Sequence, residues 1–458
     1  MHPVLARIQQ AIEGTSFDGD VFLVGGAVRD ELLGRIGSDD FDLVTRQSAP
    51  ELGKYLFDQK VSSIYPVIFE RFGTAMIEVE GIKVELVSAR KESYAKNSRK
   101  PMVVAGTYKD DAMRRDFTVN SLMRSLSDWS LIDPLETGIS DLENKVLRTP
   151  LDPVKTFDDD PLRMLRAIRF RWKFGLEPVK GLYDAIHMRR SRLKIISFER
   201  VRDELAKMLL HPTAPDALND LMKLGLFDVI APEFKPMVKC EQGKYHHLDV
   251  WDHTRLVVHN LVNSGSTDFS VILSGLFHDI GKPTTRTIDE AGNTRFFGHE
   301  VVGANMAREV LHRWKLSADD INRVCTLVKN HMRLGSAPVF TDSAARRLIK
   351  DLGTDLEGLL SLVDADANAL KTGVRAFDVG EIRETISRVQ LATPIEKLGS
   401  PLTGEEIMKL TGLPPGKKVG ELKRMLDELV LEGQLAPDDK PGATEHVSRN
   451  YLINPPTS

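Results

Sequence analysis

The run Val21-Phe-Leu-Val-Gly25-Gly26-Ala-Val-Arg29-Asp30 reads as a short buried strand that breaks at a glycine pair and turns into a helix. At such a turn several backbone N–H groups point outward together, and glycine lets phosphate oxygens approach the main chain. About fifteen residues beyond the glycine pair comes Asp40-Phe41-Asp42, in an apolar-flanked strand. Residues i and i+2 of a strand project to one face, so both carboxylates point one way while Phe41 points into the core. Neighbouring anions repel unless cations sit between them. With Gly25-Gly26 and Arg29-Asp30 upstream, the pair has the composition of a two-Mg²⁺ site, one ion for an attacking hydroxyl and one for a triphosphate. Glu85 alternates with Val84 and Leu86 and is a candidate third carboxylate.

Outward from this stretch, Ala75–Val79 and Lys83–Val87 are further β-like runs, and up to about residue 145 strands alternate with helices, as in a small α/β domain. From Pro161 onward the β signal fades, and 161–175, 200–210, 215–226, 254–263, 268–278, 300–315, 318–331 and 343–350 read as helices. Pro and Gly breaks near 145–155, 232–245 and 376–402 divide the chain into a head (1–147), a helical neck (148–235), a helical body (236–375) and a helical tail (376–458). The residues from Ala443 onward are expected to be weakly ordered.

The chain has 458 residues, 41% hydrophobic and 28% charged, which fits a soluble globular protein of several domains. No run approaches the roughly 20 apolar residues of a membrane span. Cys240 and Cys325 are too few for a disulfide framework and read as reduced thiols of a cytoplasmic protein. The amino terminus lacks a signal-peptide core and reads as a short amphipathic helix ending at Gly14.

Four motifs in order, Leu-Val-Gly-Gly-Ala-Val-Arg-Asp (23–30), Asp-Phe-Asp (40–42), Arg-Arg-Asp-Phe-Thr-Val-Asn (114–120) and Asp-Asp-Pro-Leu-Arg (159–163), resemble the class II tRNA nucleotidyltransferase and poly(A) polymerase family of the polymerase-β superfamily. The likeness is close over about 20–210 and diffuse beyond. It implies a polymerase-β-like α/β head followed by a mostly α-helical neck, body and tail, and a template-independent enzyme that adds CMP and AMP to the 3′ end of tRNA. On this resemblance Asp40 and Asp42 are catalytic Mg²⁺ ligands, and Gly25, Gly26 and Arg29 contact the incoming triphosphate. Arg114, Arg115, Asp116 and Asn120 match a block that positions the sugar and phosphates. The partners implied are CTP, ATP, the tRNA 3′ end and the acceptor stem, with no membrane.

Asp160-Pro161-Leu162-Arg163 has the composition of a helix start. Asp160 and Arg163, three apart, also share a helical face and offer an acceptor beside a donor. The Watson–Crick edges of cytosine and adenine each present an amino donor beside an unprotonated ring nitrogen. Uracil and guanine reverse that pattern and would leave buried groups mispaired. In the family this pair is the amino-acid template for CTP and ATP, and Asp159 stands where a Glu is common.

Residues 162–207 hold thirteen Lys/Arg against five Asp/Glu, a local net of +8, which leaves −12 for the rest of a chain whose net charge is −4. With Leu162, Leu165, Ile168 and Trp172 as the buried stripe, Arg166, Arg169 and much of the remaining basic set are expected outside, on nucleotide and RNA phosphates. Residues 197–210 resemble a family helix that supports the neck. The basic segment 89–101 corresponds to a family element that affects whether A follows CC.

His278-Asp279 ends an apolar helix that Gly281 and Pro283 stop. Adjacent His and Asp can both reach one metal when a helix end is centred on it. His253, His278-Asp279, His299, His331 and Asp366 resemble the HD phosphohydrolase superfamily. That implies one or two divalent transition metals and a water nucleophile for a phosphoester such as a 2′,3′-cyclic or 2′-phosphate end. His246, His247 and His259 are assigned to structure or RNA. Beyond residue 400 a helix, a turn and a second helix carrying Val419, Leu422, Leu426 and Leu429 on one face are expected to pack. Two other readings remain open: a poly(A) polymerase or a CC-only or A-only adding enzyme, and an HD phosphohydrolase whose head only binds RNA.

Overall fold

The computed structural model describes residues 1–35, 39–93, 102–243, 247–334, 340–370, 378–394 and 398–453. Most of the basic segment 89–101, and His246, lie outside the described residues. The chain divides into two units, Met1–Pro232 and Glu233–Ser458.

In the first unit, strand β1 (Val21–Val24) is fully buried because all four of its side chains are apolar. It pairs antiparallel with β2 (Phe41–Thr45), matching Val24 to Asp42. Strands β3 (Val67–Phe69), β4 (Thr74–Val79) and β5 (Ile82–Ser88) extend the sheet. The strand order is β3-β4-β5-β2-β1, followed by Met123–Ser125 and Leu131–Ile132. Only β2 and β5 run parallel in this sheet, and their register sets Asp42 beside Glu85. Val84 and Leu86 are buried while Glu85 is exposed, the alternation the pleat requires. The first helix spans Pro3–Ile12, buries Val4, Leu5, Ile8 and Ile12, and is followed by Gly14 in a left-handed conformation, φ 70°.

The neck helix spans Leu162–Phe174 and ends at Gly175, φ 65°. Its buried face carries Leu162, Met164, Leu165, Ala167, Ile168, Arg169, Phe170 and Phe174. Trp172, expected in that stripe, is half-buried and donates Nε1–H to Asp220 Oδ2 at 2.8 Å. Asp220 also accepts from Tyr183 at 2.6 Å and from Arg171 at 3.1 Å, which pins the helix Ala214–Lys223 against the neck helix.

The basic face predicted for 162–207 is largely consumed by carboxylates, several of them outside that window. Arg166 pairs with Asp116 and Glu204, Arg169 with Glu204, Arg171 with Asp220, Arg189 and Arg192 with Asp158, Arg200 with Asp160, and Arg202 with Asp203. Lys180, Lys194 and Lys207 stay exposed.

Among the described residues the regular structure of the second unit is helical apart from one hairpin of two-residue strands, Thr287–Ile288 with Thr294–Arg295. The helix Phe269–Phe277 is apolar nearly throughout and buried from Ser270 to Phe277, so the others pack around it. Beyond residue 400, Leu402, Ile407, Val419, Leu426, Val430, Leu435, Ala443 and Val447 form a core with Leu422 and Leu429 at its edge. Ala443 and Val447 correct the expectation of a weakly ordered end: they belong to a helix, Lys440–Ile453, and are fully buried. The local sequence is mostly polar, and two small apolar side chains one turn apart suffice to dock it. Among the described residues no helix is long and apolar enough to cross a membrane.

Glu204 is 4% exposed and serves two guanidinium groups, with Arg169 Nε at 2.6 Å and Arg166 Nη1 at 3.4 Å. Removing one partner of a buried ionic set leaves uncompensated charge and costs about 3–5 kcal/mol. Glu204→Gln is therefore expected to lower the stability of the first unit by about 3 kcal/mol, read as a drop in its denaturant midpoint.

Candidate functional site

The glycine pair works as the strand–turn–helix reading requires. Gly25 has φ 78°, and a Cβ there would lie 3.2 Å from Asp42 Oδ2 and 3.4 Å from Arg115 Nη1. A side chain would thus be strained and would push into the carboxylate. Gly26 opens the short helix Gly26–Leu32. Burial, opposed by the Arg115 guanidinium and reinforced by the Glu85 and Asp40 charges, pushes the Asp42 carboxyl up to about 6. The carboxylate group is short of positive charge, and a divalent cation held by Asp40, Asp42 and Glu85 would supply it.

Arg114 and Arg115 are aimed by a residue the motif reading missed. Asp111 is fully buried and accepts from Arg114 Nε at 2.8 Å and from Arg115 Nη2 at 3.0 Å. Its signal was present in the sequence as helical spacings of three and four. Arg29 is buried, donates to Asn120 Oδ1 at 2.6 Å and to Asp30 Oδ1 at 2.8 Å, and lies over the rings of Phe170 and Phe174. Asn120 donates in turn to Asp116 Oδ1 at 2.8 Å, and Asp116 Oδ2 accepts from Arg166 Nε at 2.7 Å. Burial alone would raise the Asp116 carboxyl, but the Arg166 charge and the Asn120 amide bring it down to about 2. Arg29, Asn120, Asp116, Arg166, Glu204 and Arg169 therefore form one hydrogen-bonded chain from the glycine turn to the neck.

Asp160 and Arg163 meet this chain at its edge. Asp160 Oδ1 accepts from the Leu162 N–H at 3.1 Å, the helix-start role its sequence position implies. Asp160 Oδ2 accepts from Arg200 Nη2 at 2.9 Å, and Arg163 donates to the Arg114 carbonyl. The base-selection candidates are thereby tied to the phosphate-side candidates through the Arg114 backbone. Arg166 and Arg169, expected on nucleotide, stand within the ionic chain.

The second unit gathers all six HD-type residues. His278 caps the end of Phe269–Phe277, His299 opens the helix His299–Arg313, and His331 follows the end of Ala318–Asn330. His253 Nε2 lies 2.9 Å from Asp366 Oδ1 and 3.7 Å from Asp279 Oδ2. His278 Nε2 is 3.1 Å from Asp279 Oδ2, and His299 Nε2 is 3.4 Å from Asp279 Oδ1 and 3.3 Å from His331 Nε2. The sets His253, His278, Asp279 and Asp279, His299, His331 each offer ligand atoms within 4.8 Å of one another.

Three imidazoles are oriented alike. The Nδ1 atoms of His278, His299 and His331 meet the carbonyls of Gly275, Phe296 and Val328 at 2.8, 2.8 and 2.6 Å. Each Nδ1–H can donate there, leaving Nε2 as a lone pair turned inward. Burial takes the His331 imidazole down to about 4, so it stays neutral. Facing Nε2 acceptors around a buried carboxylate fit one or two divalent cations. Lys282, which the motif reading passed over, lies 2.6 Å from Asp279 Oδ2 and donates to Gln242 Oε1 at 2.6 Å. Gly281 lets this turn close on its neighbour: a Cβ there would lie 2.3 Å from the His299 carbonyl oxygen.

Comparison with known proteins gives three matched segments. Residues 21–148 match the poly A polymerase head domain, 175–238 the probable RNA and SrmB-binding site of polymerase A, and 246–369 the HD domain. The chain is 33% identical over 426 residues to an A-adding tRNA nucleotidyltransferase of Deinococcus radiodurans, covering 90% of this chain and 92% of that protein. It is 32% identical over 447 residues to a CC-adding tRNA nucleotidyltransferase of Thermus thermophilus, covering 95% and 93%. Its fold is similar to that of the Bacillus stearothermophilus CCA-adding enzyme solved with CTP, with a TM-score of 0.69, 22% identity and 99% of each chain covered. Identity of about one third over nine-tenths of both these relatives shows that the chain belongs to the tRNA nucleotidyltransferase and poly(A) polymerase family, and its second half carries an HD domain.

Proposed function

We propose that the protein adds CMP and AMP to the 3′ end of tRNA without a nucleic-acid template, using CTP and ATP, in the cytoplasm. The observation that carries this reading is the hydrogen-bonded chain from Arg29 beside the glycine turn through Asp116 to the neck helix bearing Arg163. Asp40 and Asp42, with Glu85 beside them, hold Mg²⁺, which when bound polarises the 3′ hydroxyl and neutralises the triphosphate. Gly25 and Gly26 let the triphosphate approach the main chain. Arg114 and Arg115, aimed by Asp111, contact its phosphates, and Asp116 and Asn120 set the sugar. Asp160 accepts from the base amino group while Arg163 donates to the ring nitrogen. Arg29, Arg166 and Arg169 act on the nucleotide through this framework. We assign 1–147 to the head, 148–235 to the neck that carries the acceptor stem, 236–375 to the HD body and 376–458 to the tail.

A narrower reading has its own support, because relatives named A-adding and CC-adding stand at 33% and 32% identity. The decisive experiment supplies tRNA ending before the CCA with CTP, ATP or both and sequences the product. Full CCA is expected. Only CC, only A on a tRNA ending in CC, or a long A run would each replace the proposal with the corresponding activity. Asp42→Asn is expected to lower incorporation by about 10³-fold or more with thermal stability retained, since the charge it removes is one the cation requires.

For the HD body we propose a metal-dependent phosphohydrolase acting on 2′,3′-cyclic or 2′-phosphate ends, with a transition metal held by His253, His278, Asp279, His299, His331 and Asp366. Asp279→Asn is expected to abolish hydrolysis of a 2′,3′-cyclic nucleotide and to lower bound metal, measured by elemental analysis, while leaving CTP incorporation intact. Unchanged hydrolysis and metal content would remove the assignment.

A further inference from the structure

A carboxylate that reads a base edge needs a defined plane. The Cβ–carboxyl torsion of aspartate is broad and roughly two-fold, so one hydrogen bond leaves the group free to swing. At Asp160 the Leu162 N–H takes Oδ1 at 3.1 Å, from the residue two positions on. The second restraint comes from forty residues away: Arg200 Nη2 donates to Oδ2 at 2.9 Å from the first turn of the helix Phe198–Leu209. One donor on each oxygen fixes the plane, and a carboxylate with about four acceptor positions keeps room for an incoming amino group.

The supports of Arg200 are themselves rigid. Its helix also carries Glu204, which is buried and bound by Arg169 and Arg166 of the helix that bears Arg163. The donor of the base-selection pair and the clamp on its acceptor are therefore locked together by ion pairs one turn away. Arg200 is partly exposed, with 39% of its side chain open to solvent, so its pairing with Asp160 is a surface-edge contact whose worth to stability is small. Its value lies in orientation.

We infer that Arg200 is a positioning residue for nucleobase choice: it holds the Asp160 carboxylate in the plane in which cytosine and adenine are accepted and uracil and guanine are mispaired. The inference rests on the proposed role of Asp160 and Arg163. When Arg200 is removed, Asp160 remains and can still accept a hydrogen bond, but its oxygens rotate away from the common plane with Arg163. Discrimination then falls more than turnover of the correct nucleotide does.

The test uses the full chain and tRNA transcripts shortened at the 3′ end, with kcat/KM measured for CTP against UTP and for ATP against GTP. Arg200→Met and Arg200→Gln are expected to lower these ratios about tenfold, the scale of one misaligned hydrogen bond to a charged group, while kcat for the correct nucleotide changes less. Arg200→Lys, which keeps a charged donor, is expected to recover part of the ratio. Asp160→Ala is expected to lower it at least as far, and the Asp160→Ala/Arg200→Met double variant no further than Asp160→Ala alone. Thermal unfolding identifies which substitutions fold, and the ratio is read on those. Wild-type ratios in the folded Arg200 variants together with a lost ratio in Asp160→Ala would overturn the inference and leave the base-selection reading standing. A raised KM for tRNA with unchanged ratios would overturn it as well, by assigning Arg200 to RNA. Wild-type ratios in Asp160→Ala would overturn both.

Discussion

The ion pair of Asp116 with Arg166 is the constraint on which the first unit depends. Asp116 is buried, and its charge is tolerable only because Arg166 and Asn120 meet its two oxygens. Through Asn120 the same carboxylate orients Arg29 at the glycine turn, and through Arg166 it reaches Glu204 and Arg169. Apolar packing alone, such as Phe117 on Phe170, would bring these elements together without a unique register. Buried charges with directional partners select one arrangement, because slipping either element by a residue strands a charge away from water. That arrangement carries the carboxylates of the sheet and the Asp160–Arg163 pair within one framework.

The second unit solves a different problem with the same economy. Its acceptors, Asp279 and the five side chains around it, repel or leave one another unsatisfied in the absence of a divalent cation. They are held there by apolar helices whose ends present His278, His299 and His331, each imidazole braced through Nδ1 against a carbonyl three residues back. Bracing at helix ends rather than in mid-helix is what lets an adjacent His and Asp turn to a common centre. The carbonyls of Gly275 and Val328 lie in the last turns of their helices, where carbonyls are left over. The structure thus spends its orphan backbone groups on aiming ligands.

Charge counted along the sequence and charge presented by the fold diverge most in the neck. The window 162–207 is strongly basic because its carboxylate partners Asp116, Asp158, Asp160 and Asp220 lie outside it. Lys180, Lys194 and Lys207 remain exposed, whereas the arginines serve mainly to join elements. The difference follows side-chain chemistry: a planar guanidinium can satisfy two carboxylates at once within a half-buried seam, and an ammonium is better solvated. A sequence average cannot register this, since ion pairs form between elements far apart in the chain.

Much of the candidate site was legible before the fold. Gly25-Gly26, the strand position of Asp42, the helix-start chemistry of Asp160 and the end-of-helix position of His278-Asp279 follow from local rules, because backbone geometry over a few residues decides them. The eight helices read from Pro161 onward match observed helices to within a few residues, for the same reason. Tertiary structure alone decided that Glu85 stands beside Asp42, that Arg200 holds Asp160, and that Lys440–Ile453 docks on two small side chains. Each of these is a pairing across strand register or between helices. Local preference contains no term for such pairs: they are selected by the requirement that buried charges find partners and apolar faces find cover once the chain has closed on itself.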